Sequence, residues 1–207
     1  MIVPWEVTLS VLSSLLAAGK GVAKWHISTR PMRLLTVFLL FSTMSSIACI
    51  ALANRNIQNL FLTHIYALFA YPAMALVFSY WHKDKLRQYI RLSIPAYLTF
   101  YLLLLMIGYE DINKPASLGL IVMSVLITLV SLYTLFLILQ DSAISALRDE
   151  RFWVSIATLL IFSNSAVIYS GIRSEITIDI WIIHNIFNAV GYLCYFGSYQ
   201  WTQTHTI

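Results

Sequence analysis

His184, Asn185 and Asn188 fall within five positions of one another in WIIHNIFNAV, an otherwise apolar stretch. An imidazole can move a proton, ligate a metal or hydrogen-bond a ligand, and a primary amide offers both donors and an acceptor. In hydrocarbon each such group costs free energy unless it is satisfied, so three together predict a use. At about 100° per residue, with His184 at zero, Asn188 falls at about 40°, Trp181 at about 60° and Asn185 at about 100°. Tyr195 returns to about 20°, and Gly191, Tyr192, Ser198 and Tyr199 join the same arc. The opposite face is Ile182, Ile183, Ile186, Phe187, Ala189, Val190, Leu193 and Cys194. One helix with a polar, aromatic stripe of this length must turn it toward neighbouring helices or a cavity.

Other chemistry-bearing residues recur at a similar depth. His184 lies about seven residues, roughly 10 Å, from the outer end of its helix. His64 in FLTHIYALFAYP, Asn164 in IFSNSAVIYS, Tyr101, Ser124 and Ser46 reach the same layer, with Glu6 and Asp179 just above it. The expected ligand-binding set is therefore Glu6, His64, Tyr101, Asn164, His184, Asn185 and Asn188. Ser46, Ser124 and Ser163 read instead as packing bonds between helices, worth about 1 kcal/mol or less each. Tyr66, Tyr71, Tyr97 and Tyr169 read as interfacial anchors or core, and Pro72 as a kink or hinge in its helix.

The elements that hold these groups are membrane helices. Of 207 residues, 59% are hydrophobic and 11% charged, where a soluble domain carries about 25% charged residues. Apolar runs of membrane length imply helices, because lipid leaves an open chain no other way to satisfy its backbone. Seven spans are expected, at about 3–22, 33–53, 58–81, 92–108, 116–138, 152–172 and 177–200, the first being the weakest. The connections after spans one, three and five hold ten basic residues: Lys20, Lys24, Arg30, Arg33, Lys83, Lys85, Arg87, Arg91, Arg148 and Arg151. The other side holds three, Arg55, Lys114 and Arg173. The positive-inside rule then places the N-terminus outside and the C-terminus in the cytoplasm. The acids Glu6, Glu110, Asp111, Glu175 and Asp179 lie toward the outer face. No repeat, linker or composition shift marks a second domain, so the expectation is one all-α, polytopic domain over 1–207. MIVPWE lacks the basic start of a secretory signal and reads as retained.

Several chemistries are excluded or weakened. Span seven has no lysine for a retinal Schiff base, and no HExxH, GxSxG or P-loop occurs. Cys49 and Cys194 lie inside apolar runs and read as small buried hydrophobes. A zinc hydrolase resembling the seven-helix ceramidase and adiponectin-receptor type is the enzyme alternative, with one histidine in span three and an HxxxH in span seven. Here that motif reads His184-x-x-x-Asn188, and the remaining histidines, His26, His82 and His205, belong to cytoplasmic regions. Zinc takes three protein ligands and an open position, so neither an enzyme nor a cofactor is the expectation.

The last 60 residues or so carry an acidic-FW start to span six (Glu150, Phe152, Trp153) and a His-x-x-x-Asn stripe in span seven (His184, Asn188). On these elements the chain resembles a group of uncharacterised bacterial seven-helix membrane proteins. The Ser163-Asn164-Ser165 step departs from that group, where a small or aromatic residue is expected. Members are often encoded beside sensor histidine kinases, which implies a signalling role in a bacterial inner membrane and no particular ligand. The expected function is a receptor that binds a small or lipidic ligand in an outer-half pocket and signals to a cytoplasmic protein. A small-solute transporter or channel is the alternative, weakened by the absence of a repeat and of broken paired helices. The expected output surfaces are the loops 82–91 and 140–151. The first also reads as a solvated topology signal. In the second, Asp141, Asp149 and Glu150 are mixed with Arg148 and Arg151, a pattern the topology rule does not require.

Overall fold

A computed structural model describes residues 3–112, 114, 118–140, 146–171 and 178–202, with 171 and 178–180 as backbone only. Among them are seven α-helices: α1 (Trp5–Ala23), α2 (Arg30–Asn54), α3 (Phe61–Trp81), α4 (Asp84–Met106), α5 (Leu118–Gln140), α6 (Glu150–Gly171) and α7 (Ile178–Ser198). The first six are long and apolar enough to cross a membrane, consistent with a multi-pass membrane protein. α1 is the least apolar of those six. α7 has a comparable length, and its apolar run is interrupted by the stripe of His184, Asn185 and Asn188. Asp141, Arg173, Glu175 and His205 lie outside the described residues, as does the side chain of Asp179.

The helices start and stop for local reasons. Pro31 sits in the first turn of α2, where its missing N–H is not needed. The Glu110 carboxylate accepts from the backbone N–H groups of Leu118 at 2.7 Å and Gly119 at 3.2 Å, capping the start of α5. Gly108, at φ 71°, ends the α4 exit in a conformation that suits glycine. Pro72 lies inside α3.

Six helices close a ring. α1 packs on α2 and α7, α2 on α3, α3 on α5, α5 on α6, and α6 on α7. α4 stands outside it, packed mainly against α3. Its contact with α5 is made where Gly119 lets the Tyr101 ring in: a Cβ there would sit 1.9 Å from Tyr101 Cε2.

The hydrogen bonds place both ends of the bundle. At one end, which holds the N-terminus, the start of α3 meets the α4–α5 connection through His64. At the other, the basic end, Lys24 Nζ donates to the Tyr199 carbonyl at 2.6 Å, satisfying an α7 C-terminal group. Arg33 Nε there donates to the Trp25 carbonyl at 3.1 Å and closes the α1–α2 turn.

α4 begins earlier than the apolar pattern suggests. It starts at Asp84 rather than near 92, so most of the segment read as a loop is helical. Its residues are charged because α4 is peripheral and opens its first turns to solvent.

Candidate functional site

Within the ring lies a half-open cavity of about 350 Å³, lined from all six of its helices and not from α4. It lies toward the N-terminal end. Val7 and Val11 of α1, Ile50 of α2, Leu62 of α3, Leu120 and Met123 of α5 and Phe162 of α6 form its apolar walls. Hydroxyls come from Ser10, Ser42, Ser45, Ser46, Thr63 and Ser165, and α7 contributes Trp181, His184, Asn185, Asn188 and Tyr192. No Asp, Glu, Lys or Arg lines it.

His184 organises the polar wall. Its ring is 8% exposed, with the Asn164 amide 3.0 Å from Nδ1 and the Asn188 amide 3.0 Å from Nε2. A neutral imidazole has one donor and one acceptor nitrogen, so one amide presents its oxygen and the other its NH2. Asn164 thus reaches the cavity through His184, from α6, without lining it. The other terminal atom of the Asn188 amide is buried and has no partner. Asn185 Nδ2 donates to the Trp181 carbonyl at 3.0 Å. The Trp181 ring meets the His184 ring edge-on, with centroids 5.8 Å apart.

The remaining expected residues are elsewhere. His64 and Tyr101 form their own cluster between α3, α4 and the α4–α5 connection: Tyr101 Oη is 2.7 Å from His64 Nδ1, and His64 Nε2 is 2.9 Å from the Lys114 carbonyl oxygen. Both are buried, and neither lines the cavity. The reason is topological, since Tyr101 belongs to the helix outside the ring and draws the imidazole toward it. Glu6 is buried in the first turn of α1 beside the lining residue Val7, but does not itself line the cavity. Ser46 and Ser163 bond to carbonyls four residues back on their own helices rather than across to a neighbour. Ser124 Oγ is buried without a partner.

Tyr66 and Tyr169, read from sequence as anchors or core, line the cavity, as do Ser10, Ser42 and Ser45. Tyr66 stands three residues after Thr63, and that shared face was the only signal for it. Tyr192 and Ser42, both lining the cavity, pair at 2.7 Å, and beyond them the α7 stripe is closed by two further phenol–hydroxyl pairs, Tyr195 with Thr158 at 2.9 Å and Tyr199 with Thr36 at 2.7 Å. Tyr195 and Tyr199 are fully buried.

At the basic end, Arg148 is exposed in a short 3-10 turn, Ala146–Arg148. Arg151 pairs with Asp149 at 2.6 Å, and Asp149 Oδ1 also accepts from the Arg151 backbone N–H at 2.8 Å. Glu150 turns inward and accepts from Thr29 Oγ1 at 3.1 Å, tying α6 to α2. Of the four expected partner-facing residues, Arg148 is the exposed one. A second cavity of about 180 Å³ opens beside them, lined by Trp81, His82, Thr134, Leu137, Ile138 and Arg151. His82 Nε2 is 2.9 Å from Thr134 Oγ1, and burial, then the Arg151 charge, lowers the His82 pKa from its usual value.

Among the described residues no group of three or more His, Cys, Asp or Glu side chains is placed to hold a metal. Comparison with protein-family models, with curated proteins and with solved structures gives no match.

Proposed function

We infer that the chain is a seven-pass bacterial inner-membrane receptor, with its N-terminus outside and its basic end in the cytoplasm. It binds a small uncharged or lipidic ligand in the ring cavity and signals to a cytoplasmic protein. The orientation rests on the ten basic residues gathered at one end. The observation that carries the ligand reading is the cavity itself, lined by six helices, free of charged lining and headed by the His184–Asn188 pair. Neutral walls with a few convergent polar groups suit an uncharged amphiphile. The bonded tyrosines at and beyond the cavity wall favour binding over passage, because a solute moving down the stripe has to pass the Tyr192–Ser42 pair of the wall and then break two buried phenol pairs. The resemblance of the last 60 residues or so supports a signalling partner of the histidine-kinase kind.

The test is to purify the protein from its native membranes in mild detergent, extract it and identify co-purifying small molecules by mass spectrometry. A Ser46→Trp variant fills the cavity. A species recovered with the unaltered protein and depleted from the folded variant supports the reading, and equal recovery from both sinks it.

A further inference from the structure

The early start of α4 turns a run of basic residues into a helical face. Lys83, at the N-cap, Arg87 and Arg91 are spaced four apart and share one side. Both guanidinium groups lie over the ring of Tyr80, with their central carbons 5.6 and 5.4 Å from its centroid, inside the range of cation–π attraction. The stacking orients the two groups without neutralising them. Among the described residues the only ion pair is Arg151 with Asp149, so neither Arg87 nor Arg91 has a carboxylate partner. Arg91 Nε donates to Ser79 Oγ at 3.4 Å, and Arg87 Nε is buried with no partner. Asp84, the one acid of this segment, is exposed and pairs with neither arginine.

Farther along α4 the same side becomes apolar. From Arg91, Pro95, Leu98 and Leu102 all return within about 40°. Pro95 is exposed and Leu102 is 51% exposed, because α4 lies outside the ring, while Leu98 between them is half-buried against the core. Arg91 to Leu102 spans about 16 Å of helix, close to half of the roughly 30 Å hydrocarbon core. The strip therefore offers two oriented cations at headgroup level above one leaflet's depth of apolar surface.

We propose that this side of α3 and α4 binds an anionic phospholipid, its phosphate held by Arg87 and Arg91 on Tyr80 and an acyl chain lying along Pro95 to Leu102. Guanidinium forks match phosphate oxygens in pairs, which a lysine does not. With the basic end in the cytoplasm, the site faces the leaflet whose anionic lipids attract basic segments. The site is separate from the ring cavity and does not depend on what fills it.

Native mass spectrometry of the full chain, in micelles holding equal palmitoyl-oleoyl phosphatidylglycerol and phosphatidylcholine, tests this. The glycerol lipid is expected to be retained over the choline lipid. Arg87→Gln with Arg91→Gln should lower that preference about thirty-fold. Arg30→Gln with Lys85→Gln removes the same charge from exposed positions off this face and should leave most of the preference. Equal loss in both double variants, or no preference in the unaltered protein, overturns the proposal. So does displacement of the lipid by inorganic phosphate alone, which would make this a free-anion site. Should the arginine variant fail to fold, the unaltered protein decides. Dioctanoyl phosphatidylglycerol must raise its Tm more than the choline counterpart, and equal shifts overturn the assignment.

Discussion

His64 and Tyr101 are bonded to each other, Nδ1 to Oη at 2.7 Å, while the second ring nitrogen of His64 meets the Lys114 carbonyl at 2.9 Å. A carbonyl only accepts, so Nε2 carries the proton, and Nδ1 accepts from the phenol. The imidazole has no hydrogen-bonding capacity left for a ligand. Tyr101→Phe removes one donor from a buried acceptor, and a loss of about 1–3 kcal/mol is expected. Thermal unfolding in detergent measures it, and an unchanged midpoint would show that the pair is not coupled to stability.

The two histidines should separate in a ligand assay. His184→Ala is expected to strip the co-purifying molecule from the cavity, because it removes the group that both Asn164 and Asn188 address. His64→Ala should lower Tm and leave the molecule in place. Retention by His184→Ala, or loss from a folded His64→Ala, contradicts the assignment.

Gly119→Ala should be among the costliest small changes in the chain. Its methyl would overlap the Tyr101 ring, with atoms at 1.9 and 2.3 Å. Relief requires the ring or α4 to move, and overpacking of this kind costs about 1–3 kcal/mol. Gly19→Ala, where a Cβ meets nothing within 4 Å, is the control. Equal Tm values for the two variants would mean that α4 shifts freely.

His82 sets a pH dependence. Its pKa in the folded protein is lowered by burial and by Arg151, below the unfolded value near 6.5. The unfolded chain therefore binds the proton more readily, and the stability this group contributes is present above about pH 6.5 and is lost as pH falls toward the folded pKa. The Tm difference between the unaltered protein and His82→Gln should shrink on acidification from about pH 7.5 to about pH 5. A difference independent of pH would show that His82 does not titrate with unfolding.

On the proposed receptor reading, Arg148, exposed in its 3-10 turn, is the position from which to seek a cytoplasmic partner. Arg148→Glu is expected to reduce cross-linked partner in native membranes several-fold while leaving the fold intact. Arg151 is a poorer choice because its charge is already matched by Asp149. Undiminished cross-linking would clear this turn of the role.

The cavity was only partly legible in the sequence. On α7 the spacing of His184, Asn185 and Asn188 carried enough information, since one helix's stripe is a matter of angle and they do line the chamber. Depth placed His64 and Tyr101 at the same level, but depth says nothing of direction. Which way those side chains turn depends on α4 standing outside the ring, and that follows from packing among distant segments. Tyr66 and Tyr169 were missed because a tyrosine in an apolar helix looks the same whether it meets lipid, core or a chamber.

Composition and apolar run length by themselves determined that this is a bundle of helices able to cross a membrane, because an unpaired backbone cannot remain in hydrocarbon. The helical period determined that α7 must turn one face inward. Only the tertiary structure decided that six helices close around a chamber, that α4 is left outside, and that the arginines of 83–91 stack on Tyr80 as a helical face. Those outcomes depend on how side chains far apart in the chain fill one another's gaps, as Tyr101 fills the space that Gly119 leaves, and no local pattern encodes that fit.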